Sequence, residues 1–357
     1  MSERLTQRDI ARLARVSQTT VSLVLNNRTA ASARIPAETR DRVLKVIRET
    51  GYVADPLARR LLQQRNQILG VFTYESVFPS ASADFYHPFL SGIEESAEEL
   101  GCDLLLFTSA PVTDGRRRVF HENNRLRIAD GALLLGRRIP AEELSRLVAE
   151  KYPFVCVGRR DDPSGLVPYV GADYVSATAT VTARALELGH RRVAFVGPGE
   201  GAESSADRLR GFRQIAPRGI HRSPPAAPPP GSLSPHTPVA EGDARAQELD
   251  AVLDELLARK VTAVFVEDLA DADALAAAAR QRGLEVPRQL SVVALGDASR
   301  PVPSDADYSG FHIPRKEMGR QAVGLLEAIL SGDEAEIQQV LPCELVEGST
   351  LTAPEGL

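Results

Sequence analysis

The sequence is poor in the residues that carry redox and metal chemistry. Tryptophan is absent, methionine occurs twice, and aromatic residues make up only 5% of the 357 residues. The three cysteines, Cys102, Cys156 and Cys343, lie far apart and form neither a CxxC pair nor a Cys/His ligand spacing. The sequence therefore offers no cysteine-based metal site. Cys102 and Cys156 lie in apolar runs and are predicted to be buried thiols.

Other absences narrow the class of protein further. The N-terminus lacks the apolar core of a signal peptide, and no apolar run approaches the roughly 18 residues of a membrane helix. The chain also lacks GxSxG, P-loop and HExxH motifs, and no GxGxxG follows its first strand. We therefore expect a reduced, cytoplasmic protein that is not an enzyme, uses no cofactor and has no membrane partner.

Charge is distributed unevenly along the chain. Residues 1–65 hold 13 basic against 6 acidic residues, a net charge of +7, whereas the remainder holds 29 against 42, a net charge of −13. A basic N-terminal module on an acidic body is typical of a DNA-docking head joined to a module that does not bind DNA. A solvated basic helix face would give the same count.

The stretch from residue 6 to residue 26 predicts a helix-turn-helix. Ile10, Leu13 and Ala14 form the apolar face of a first helix, which Thr6 caps. A second helix follows Ser17 and repeats the spacing with Val21, Val24 and Leu25, while the chain reverses around Arg15. The second helix would present small polar side chains suited to base edges in a major groove. An ordinary helical hairpin inside a bundle is the alternative.

A third helix completes the predicted head. Pro36 suits its first turn, Val43, Val46 and Ile47 form its apolar face, and Gly51 ends it. VSQTTVSLVLN, and then IPAETRDRVLKVIRETGYVADPLARRL over residues 35–61, resemble the DNA-binding headpiece of the lactose-repressor/galactose-repressor (LacI/GalR) family. The resemblance continues through almost the whole chain and is weakest between residues 216 and 239.

The resemblance implies a set of DNA contacts. Gln18, Thr19 and Leu23 occupy the family's base-reading positions, and Leu23 stands where the lactose repressor carries an arginine. A leucine cannot make a bidentate contact to guanine but can press on a thymine methyl group. We therefore expect a changed base preference at that position. The positions expected to contact the DNA backbone or fix the helix are Thr6, Ser17, Thr20, Ser22, Asn26 and Arg28.

Residues 55–66 correspond to the family's hinge. Asp55 and Pro56 suit the start of a helix that is too short to be stable alone. By resemblance this helix orders only on operator DNA, where Leu61 wedges into the minor groove beside Ala58, and where Arg59 and Arg60 reach phosphates. A plain linker is the alternative.

From residue 67 onward, apolar runs alternate with helical patterns. Such an alternation predicts parallel sheets covered on both faces, and the repeat of the pattern predicts two doubly wound lobes resembling periplasmic sugar-binding proteins. The predicted strand runs are residues 68–74, 103–109, 131–136, 154–160, 167–172, 192–197, 262–267, 291–297, 309–313 and 337–342. Helices are expected over residues 88–101, 173–188 and 314–330. The proline run at 224–230 predicts an extended or disordered loop over 216–239, which leaves one strand of the second lobe in doubt.

The predicted domains are an all-α headpiece over residues 1–54, a hinge or linker over 55–66, and a two-lobed α/β domain over 67–357. Lobe 1 is expected to hold about 67–166 and 297–320, and lobe 2 about 167–296 and 321–350. The family's chain crosses between lobes three times. We expect the late crossings near residues 296–297 and after the helix that starts at Pro314.

Ligands of open α/β sheets bind outside the carboxyl ends of the strands. The strand ends here carry carboxylates and guanidiniums that suit the hydroxyls of a sugar: Tyr74, Glu75, Arg159, Arg160, Glu267, Asp268 and Asp297. By resemblance, Arg208 in DRLRGF grips the effector and Asp297 matches the aspartate at the lobe crossing, whereas Glu267 departs from a frequent asparagine. Phe85 and Tyr86, ahead of Pro88, could stack on a ring. Surface salt bridges or strand-end caps are the alternative for each residue.

These features together predict a DNA-binding transcriptional regulator, a repressor by resemblance. A homodimer would bind double-stranded operator DNA and take a sugar-like effector between its lobes. The C-terminus has no leucine heptads, so a dimer rather than a tetramer is expected. Two alternatives stay open, namely a cytoplasmic sugar-binding protein or enzyme of the same lobe fold, and a regulator controlled by a partner protein instead of an effector.

Overall fold

The computed structural model describes residues 5–25, 35–50, 52, 65–75, 83–113, 116–122, 124–223, 238–299 and 302–355. The chain divides into two compact units, residues 1–66 and residues 67–357. Several predicted features lie outside the described residues: the DNA contacts Asn26 and Arg28, the hinge with Ala58, Arg59, Arg60 and Leu61, and most of the proline-rich loop.

The first unit contains three helices, α1 Gln7–Ala14, α2 Gln18–Leu25 and α3 Ala37–Thr50. Thr6 caps α1 as predicted, and the cap is reciprocal with Asp9: Thr6 Oγ1 accepts from the Asp9 amide and the Asp9 carboxylate accepts from the Thr6 amide. The chain then turns through Arg15 in the left-handed conformation, φ 54°. This turn ends α1 and lets α2 begin three residues later.

The three helices enclose a small core of Ile10, Ala14, Val21, Val24 and Val43. The prediction that Leu13 belongs to this core is wrong, because its side chain is 51% exposed and Ala11 is buried instead. The buried stripe of α1 is centred on Ile10, Ala11 and Ala14, and the helical repeat puts Leu13 beyond its edge.

The second unit is built on two six-stranded sheets. In order across the first sheet, which we name lobe 1, the strands are β13 Gln338–Leu341, β7 Tyr169–Ala172, β6 Phe154–Val157, β5 Gly131–Leu135, β1 Ile68–Thr73 and β2 Asp103–Phe107. Every neighbouring pair in this sheet is parallel. A short hairpin, β3 Val112–Thr113 with β4 Arg116–Arg117, was not predicted.

In order across the second sheet, which we name lobe 2, the strands are β14 Glu344–Glu347, β12 Ser309–His312, β11 Ser291–Ala294, β10 Ala263–Val266, β8 Val193–Val196 and β9 Ile220–Arg222. Only the edge pair β12–β14 is antiparallel. The doubtful strand of the second lobe is therefore present as β9, a three-residue edge strand ahead of the proline run.

The helices of the second unit cover the faces of both sheets. They are α4 Ala83–Glu99, α5 Ala141–Ala149, α6 Tyr174–Glu187, α7 Glu203–Ile215, α8 Pro238–Ala258, α9 Leu269–Gln281 and α10 Arg315–Ser331. α4 and α10 pack unusually closely in lobe 1. A Cβ at Gly92 would lie 1.9 Å from the Lys316 carbonyl oxygen, and one at Gly319 would lie 2.3 Å from the Phe89 oxygen. Glycine at both positions is what permits this approach.

The predicted division between the lobes needs correction. β7 was assigned to lobe 2 but lies in lobe 1, and β12 was assigned to lobe 1 but lies in lobe 2. β13 and most of α10 were assigned to lobe 2, but both lie in lobe 1. The crossings accordingly follow β7, β12 and β13, and none occurs at residues 296–297. An apolar run shows that a strand is buried on both faces. It does not show which of two such sheets the strand joins.

Helix α4 begins one turn earlier than predicted. Pro88 suggested a helix start, yet it lies inside the helix. The additional turn carries Phe85 and Tyr86, whose rings pack edge to face with centroids 5.3 Å apart, while Phe85 also contacts Phe89 at 5.8 Å. These aromatic contacts support the turn that the proline alone would disfavour.

All three cysteines are free thiols. Cys156 is fully buried as predicted, whereas Cys102 is only half-buried. Burial raises the pKa of Cys156 to about 11 and that of Cys343 to about 12, so both stay protonated at neutral pH. In the described part of the chain, no helix is both long and apolar enough to cross a membrane.

His190 is fully buried and ties the end of the chain to lobe 2, with Nδ1 2.9 Å from Thr262 Oγ1 and Nε2 2.8 Å from the Thr352 carbonyl oxygen. Burial lowers its pKa below the ordinary value of 6.5, so folding favours the neutral ring. The resulting stabilisation is complete above pH 6.5 and declines as the pH falls below it.

We therefore expect the free energy of unfolding to drop more between pH 7 and pH 5 in the wild type than in His190→Gln. Urea unfolding at both pH values measures this difference. His87→Gln, at an exposed histidine, is the control and should keep the wild-type pH dependence. An equal loss in wild type and His190→Gln would contradict the assignment.

Candidate functional site

Helix α2 separates a buried face from an exposed polar face. Val21 and Val24 are buried in the headpiece, while Gln18 and Thr19 are exposed at the N-terminal end of the helix. Ser17 caps the helix by accepting from the Thr20 amide at 3.1 Å, and it exchanges a hydrogen bond with the Thr20 hydroxyl at 2.8 Å. The amide and hydroxyl groups of this face are therefore held on a short, well-capped helix.

The remaining predicted positions of α2 lie beside this face. Thr20, Ser22 and Leu23 are half-buried, and the Arg8 Nε donates to Gln18 Oε1 over 3.4 Å. Leu23 thus keeps part of its apolar side chain at the surface. Groups of this size and polarity match base edges and thymine methyl groups in a major groove.

A cavity in the second unit lies at the carboxyl ends of the strands of both lobes. Seven of the predicted effector contacts line it: Phe85, Tyr86, Arg159, Arg208, Glu267, Asp268 and Asp297. The cavity also contains Arg160, which was named as a strand-end residue, and groups that were not predicted, among them Arg137, Tyr174, Ser204, Ser299 and Met318. Arg137 lies just beyond the carboxyl end of β5, so it would have been found if the residues after that strand had been included among the strand ends.

Tyr74 and Glu75 do not line the cavity. The Tyr74 ring is fully buried in lobe 1 against Phe72, with centroids 5.0 Å apart. Glu75 lies behind the wall, where it accepts from the Tyr86 hydroxyl and from the Arg137 amide at 3.1 and 3.2 Å. As direct ligand contacts these two predictions do not fit the structure, because Tyr74 belongs to the core of lobe 1 and the Glu75 carboxylate binds Tyr86 and Arg137.

Arg208 on α7 is buried in the wall of the cavity and is held by backbone carbonyls. It is 5% exposed, and its Nε donates to the Leu295 carbonyl at 2.6 Å, while Nη1 donates to the Ser204 carbonyl at 3.0 Å. Its guanidinium carbon lies 3.9 Å from the centre of the Tyr174 ring. These contacts orient the guanidinium without neutralising it, since neither carbonyl carries a net charge.

Asp297 follows β11 of lobe 2 and contacts the segment after β12, where the chain crosses from lobe 2 to lobe 1. One carboxylate oxygen lies 2.8 Å from His312 Nδ1, and the other accepts from the Ile313 amide at 2.9 Å and pairs with Arg315 Nε at 3.4 Å. The carboxylate therefore joins the end of β12 to the start of α10. It also lines the cavity.

Charged pairs join the lobes beside the cavity. Arg159 of lobe 1 makes a bidentate pair with Asp207 of lobe 2, through Nε at 2.6 Å and Nη2 at 2.8 Å. The neighbouring Arg160 Nη1 pairs with Glu203 at 3.1 Å. Burial alone would lower the pKa of Arg159, but its bonds to Asp207 and Asp161 raise it. Both pairs form across the gap between the two sheets.

Two carboxylates at the end of β10 face the lobe 1 wall. Glu267 Oε1 accepts from the Ser205 hydroxyl at 2.6 Å, and Asp268 caps α9 by accepting from the Ala270 amide at 2.9 Å. Desolvation alone would lower the pKa of Arg137, but the charges of Glu267 and Asp268 outweigh it and raise that pKa. The two carboxylates and the Arg137 guanidinium therefore interact across the cavity.

Three family models match the chain. Residues 6–55 match the bacterial regulatory proteins of the lacI family, residues 74–221 match the periplasmic binding proteins and sugar binding domain of the LacI family, and residues 182–351 match a periplasmic binding protein-like domain. The matches cover the helical unit and both lobes.

Relatives match over nearly their full length. The HTH-type transcriptional repressor CytR of Escherichia coli (strain K12) is 28% identical over 98% of this chain and 97% of its own length. The HTH-type transcriptional regulator CelR of Thermobifida fusca is 29% identical over 94% of this chain and 95% of its own length.

Solved structures share the fold. The lac repressor dimer bound to operator and the anti-inducer ONPF matches with a TM-score of 0.73 at 20% identity, covering 98% of this chain and 100% of that one. The complex of the transcriptional regulator CelR with cellobiose matches with a TM-score of 0.60 at 24% identity, covering 97% and 100%. These matches agree with a helical head followed by two parallel-sheet lobes.

Proposed function

The chain belongs to the LacI family of bacterial regulatory proteins. On this basis we propose that it is a cytoplasmic transcriptional repressor whose affinity for operator DNA is set by a sugar-like effector. The observation that carries the proposal is the pairing of an exposed polar recognition helix with a cavity between two lobes in one chain. The relatives CytR and CelR, which match over nearly their full length, are transcriptional regulators.

On the DNA side, α2 would enter the major groove. Gln18 and Thr19 at its exposed N-terminal end would contact base edges, and Leu23 would contact a thymine methyl group. A homodimer would place two such helices on the half-sites of a two-fold symmetric operator. We also propose that Leu61 of the hinge, which lies outside the described residues, opens a base step in the minor groove.

On the effector side, the cavity offers an oriented guanidinium, a carboxylate and aromatic rings. Arg208 and Asp297 would bind neighbouring hydroxyls of a sugar, while Phe85 would pack on its apolar face. Because Asp297 and the Arg159–Asp207 pair join the lobes, a ligand there would change the balance between lobe arrangements. That balance is how effector binding would reach the DNA-binding unit.

Selection of genomic DNA fragments by the purified protein, with and without a panel of sugars, tests the proposal. We expect retention of a few fragments that share a two-fold symmetric site, and a change in retention on addition of one sugar. Gln18→Ala, in the exposed face of α2, should lose the selected sequence while keeping the fold. Indifference to every genomic duplex at moderate salt would contradict the proposal.

The most informative variant of the reading face is Leu23→Arg. A guanidinium can bind guanine O6 and N7 together, which a leucine cannot do, so we expect the preferred base at one operator position to change to guanine. The discrimination should be about 1–3 kcal/mol, or roughly 5- to 150-fold in relative affinity. Selection from a randomised half-site measures it.

Leu13→Arg adds the same charge to the headpiece at an exposed leucine on α1, and it should leave the preferred sequence unchanged. If Leu23→Arg selects the same sequence as the wild type, Leu23 does not read a base.

A further inference from the structure

Among the described residues, four guanidiniums line the cavity, and three of them already bind other protein groups. Arg159 is bound by Asp207 and Asp161, Arg160 by Glu203 and the Gly136 carbonyl, and Arg208 by two backbone carbonyls. The fourth, Arg137, makes no side-chain hydrogen bond or ion pair with any of the described residues. Its contact is with the Phe85 ring, whose centre lies 6.0 Å from the guanidinium carbon.

Across the cavity, Glu267 is also incompletely satisfied. Its Oε1 is held by Ser205, but its Oε2 is buried and has no hydrogen-bond partner among the described residues. The space around this carboxylate is made by a glycine, since a Cβ at Gly197 would lie 2.9 Å from Oε2. A buried carboxylate oxygen without a partner costs free energy, which a hydrogen-bond donor from a ligand would recover.

Arg137 and Glu267 make opposite demands on a ligand. The guanidinium can only donate, and the ionised carboxylate can only accept. A hydroxyl group satisfies both at once, because its oxygen accepts while its hydrogen is donated. A phosphate or carboxylate group has no proton to give to Glu267 and would meet the negative charges of Glu267 and Asp268. An ammonium group has no lone pair to offer Arg137 and would be repelled by it.

We propose that the effector is an uncharged polyhydroxy compound with one hydroxyl held between Arg137 and Glu267, and that its phosphorylated derivatives are excluded. This inference rests on the proposed function of the cavity as the effector site. The pairing of Arg159 and Arg160 with carboxylates supports it. A phosphate of about −2 charge needs several free donors, and recruiting Arg159 or Arg160 would break the pairs that join the lobes.

Matched pairs of neutral and phosphorylated sugars test the proposal with the full-length protein. Cellobiose, glucose, galactose and ribose are each compared with their terminal phosphate ester by thermal shift and calorimetry. We expect at least one neutral sugar to bind, with its phosphate ester binding at least about 30-fold more weakly. Equal or tighter binding of a phosphate ester, or binding of no neutral sugar, would overturn the proposal.

Glu267→Gln separates charge from shape. The amide keeps the size of the side chain and its bond to Ser205 but removes the negative charge, so the preference for the neutral sugar over its ester should fall by about 10-fold or more. Asp254→Asn removes an exposed carboxylate on α8 and should leave the preference unchanged. An unchanged preference in Glu267→Gln would show that Glu267 does not select against charge.

Operator binding, measured separately, distinguishes the two proposals. If a neutral sugar binds and no operator is found, the proposed function fails while the site stands. If an operator is bound and sugars bind without regard to charge, only the inference about Glu267 and Arg137 fails.

Discussion

Replacing Arg208 by methionine should weaken effector binding by about 10- to 150-fold and weaken the effector's influence on operator binding in proportion. The guanidinium is fixed by the Leu295 and Ser204 carbonyls and by the Tyr174 ring, so its free donors are already aimed when a ligand arrives. Methionine keeps the length of the side chain but offers no donor. A hydrogen bond between a charged group and an uncharged ligand contributes about 1.5–3 kcal/mol, which corresponds to roughly 10- to 150-fold in affinity.

Calorimetry with the sugar identified from the panel measures the loss. Arg213→Met is the matched control, because Arg213 lies on the same helix with its side chain exposed and should bind the sugar as the wild type does. Arg208→Lys should recover only part of the affinity, since an ammonium group cannot reproduce the fork of the guanidinium. The melting temperature of each variant separates lost binding from lost folding. If a folded Arg208→Met protein bound the sugar with wild-type affinity, Arg208 would not be an effector contact.

The headpiece could be predicted well because its signals are local. The reciprocal cap of Thr6 with Asp9 and the cap at Ser17 each involve residues three apart, and both are present in the structure. The left-handed turn at Arg15 also follows from the few residues available between the two helices. Leu13 was misplaced because the helix has only eight residues, too few for the periodicity to fix the edge of the buried stripe.

The sequence predicted the strands of the lobes, but it did not predict which sheet each strand joins. Each predicted apolar run forms a strand. β7 and β12 were nevertheless placed in the wrong lobe, because the sequence pattern of a strand buried on both faces does not identify its sheet. The sheet is determined by long-range strand pairing, such as that of Tyr169 with Gln338, and these residues are too far apart in the sequence for a local pattern to show it. β14 was missed because its exposed edge position leaves it with few apolar residues.

The cavity was predicted to the extent that the strand-end rule applied. Glu267, Asp268 and Asp297 follow strands and lie in the wall, whereas Tyr74 belongs to the core and Glu75 supports Tyr86 from behind. The rule places residues at an edge of the sheet, but it does not say which side of the strand each one faces. Asp207 shows the other limit. It is 2% exposed within α7, and nothing local in the sequence distinguishes it from a surface aspartate.

Asp207→Asn should loosen the contact between the lobes and lower effector affinity by about 100-fold. The Asp207 side chain is 2% exposed and that of Arg159 is 18% exposed, so their bidentate pair is largely removed from water. Removing one partner of a fully buried pair costs about 3–5 kcal/mol, and the partial exposure of Arg159 reduces this to roughly 2–4 kcal/mol. Because the pair forms between the lobes, the loss falls on the closed arrangement that surrounds a ligand.

Asp161→Asn provides the comparison, since Asp161 binds the same arginine but is 72% exposed, and an exposed pair contributes only about 0–1 kcal/mol. Calorimetry gives the effector affinity of both variants, and small-angle X-ray scattering gives the radius of gyration with and without the sugar. In Asp207→Asn, we expect a larger radius without the sugar and a weaker contraction on its addition. If Asp207→Asn and Asp161→Asn behaved alike, the Arg159–Asp207 pair would not be what holds the lobes together, and ligand affinity would depend on the cavity wall alone.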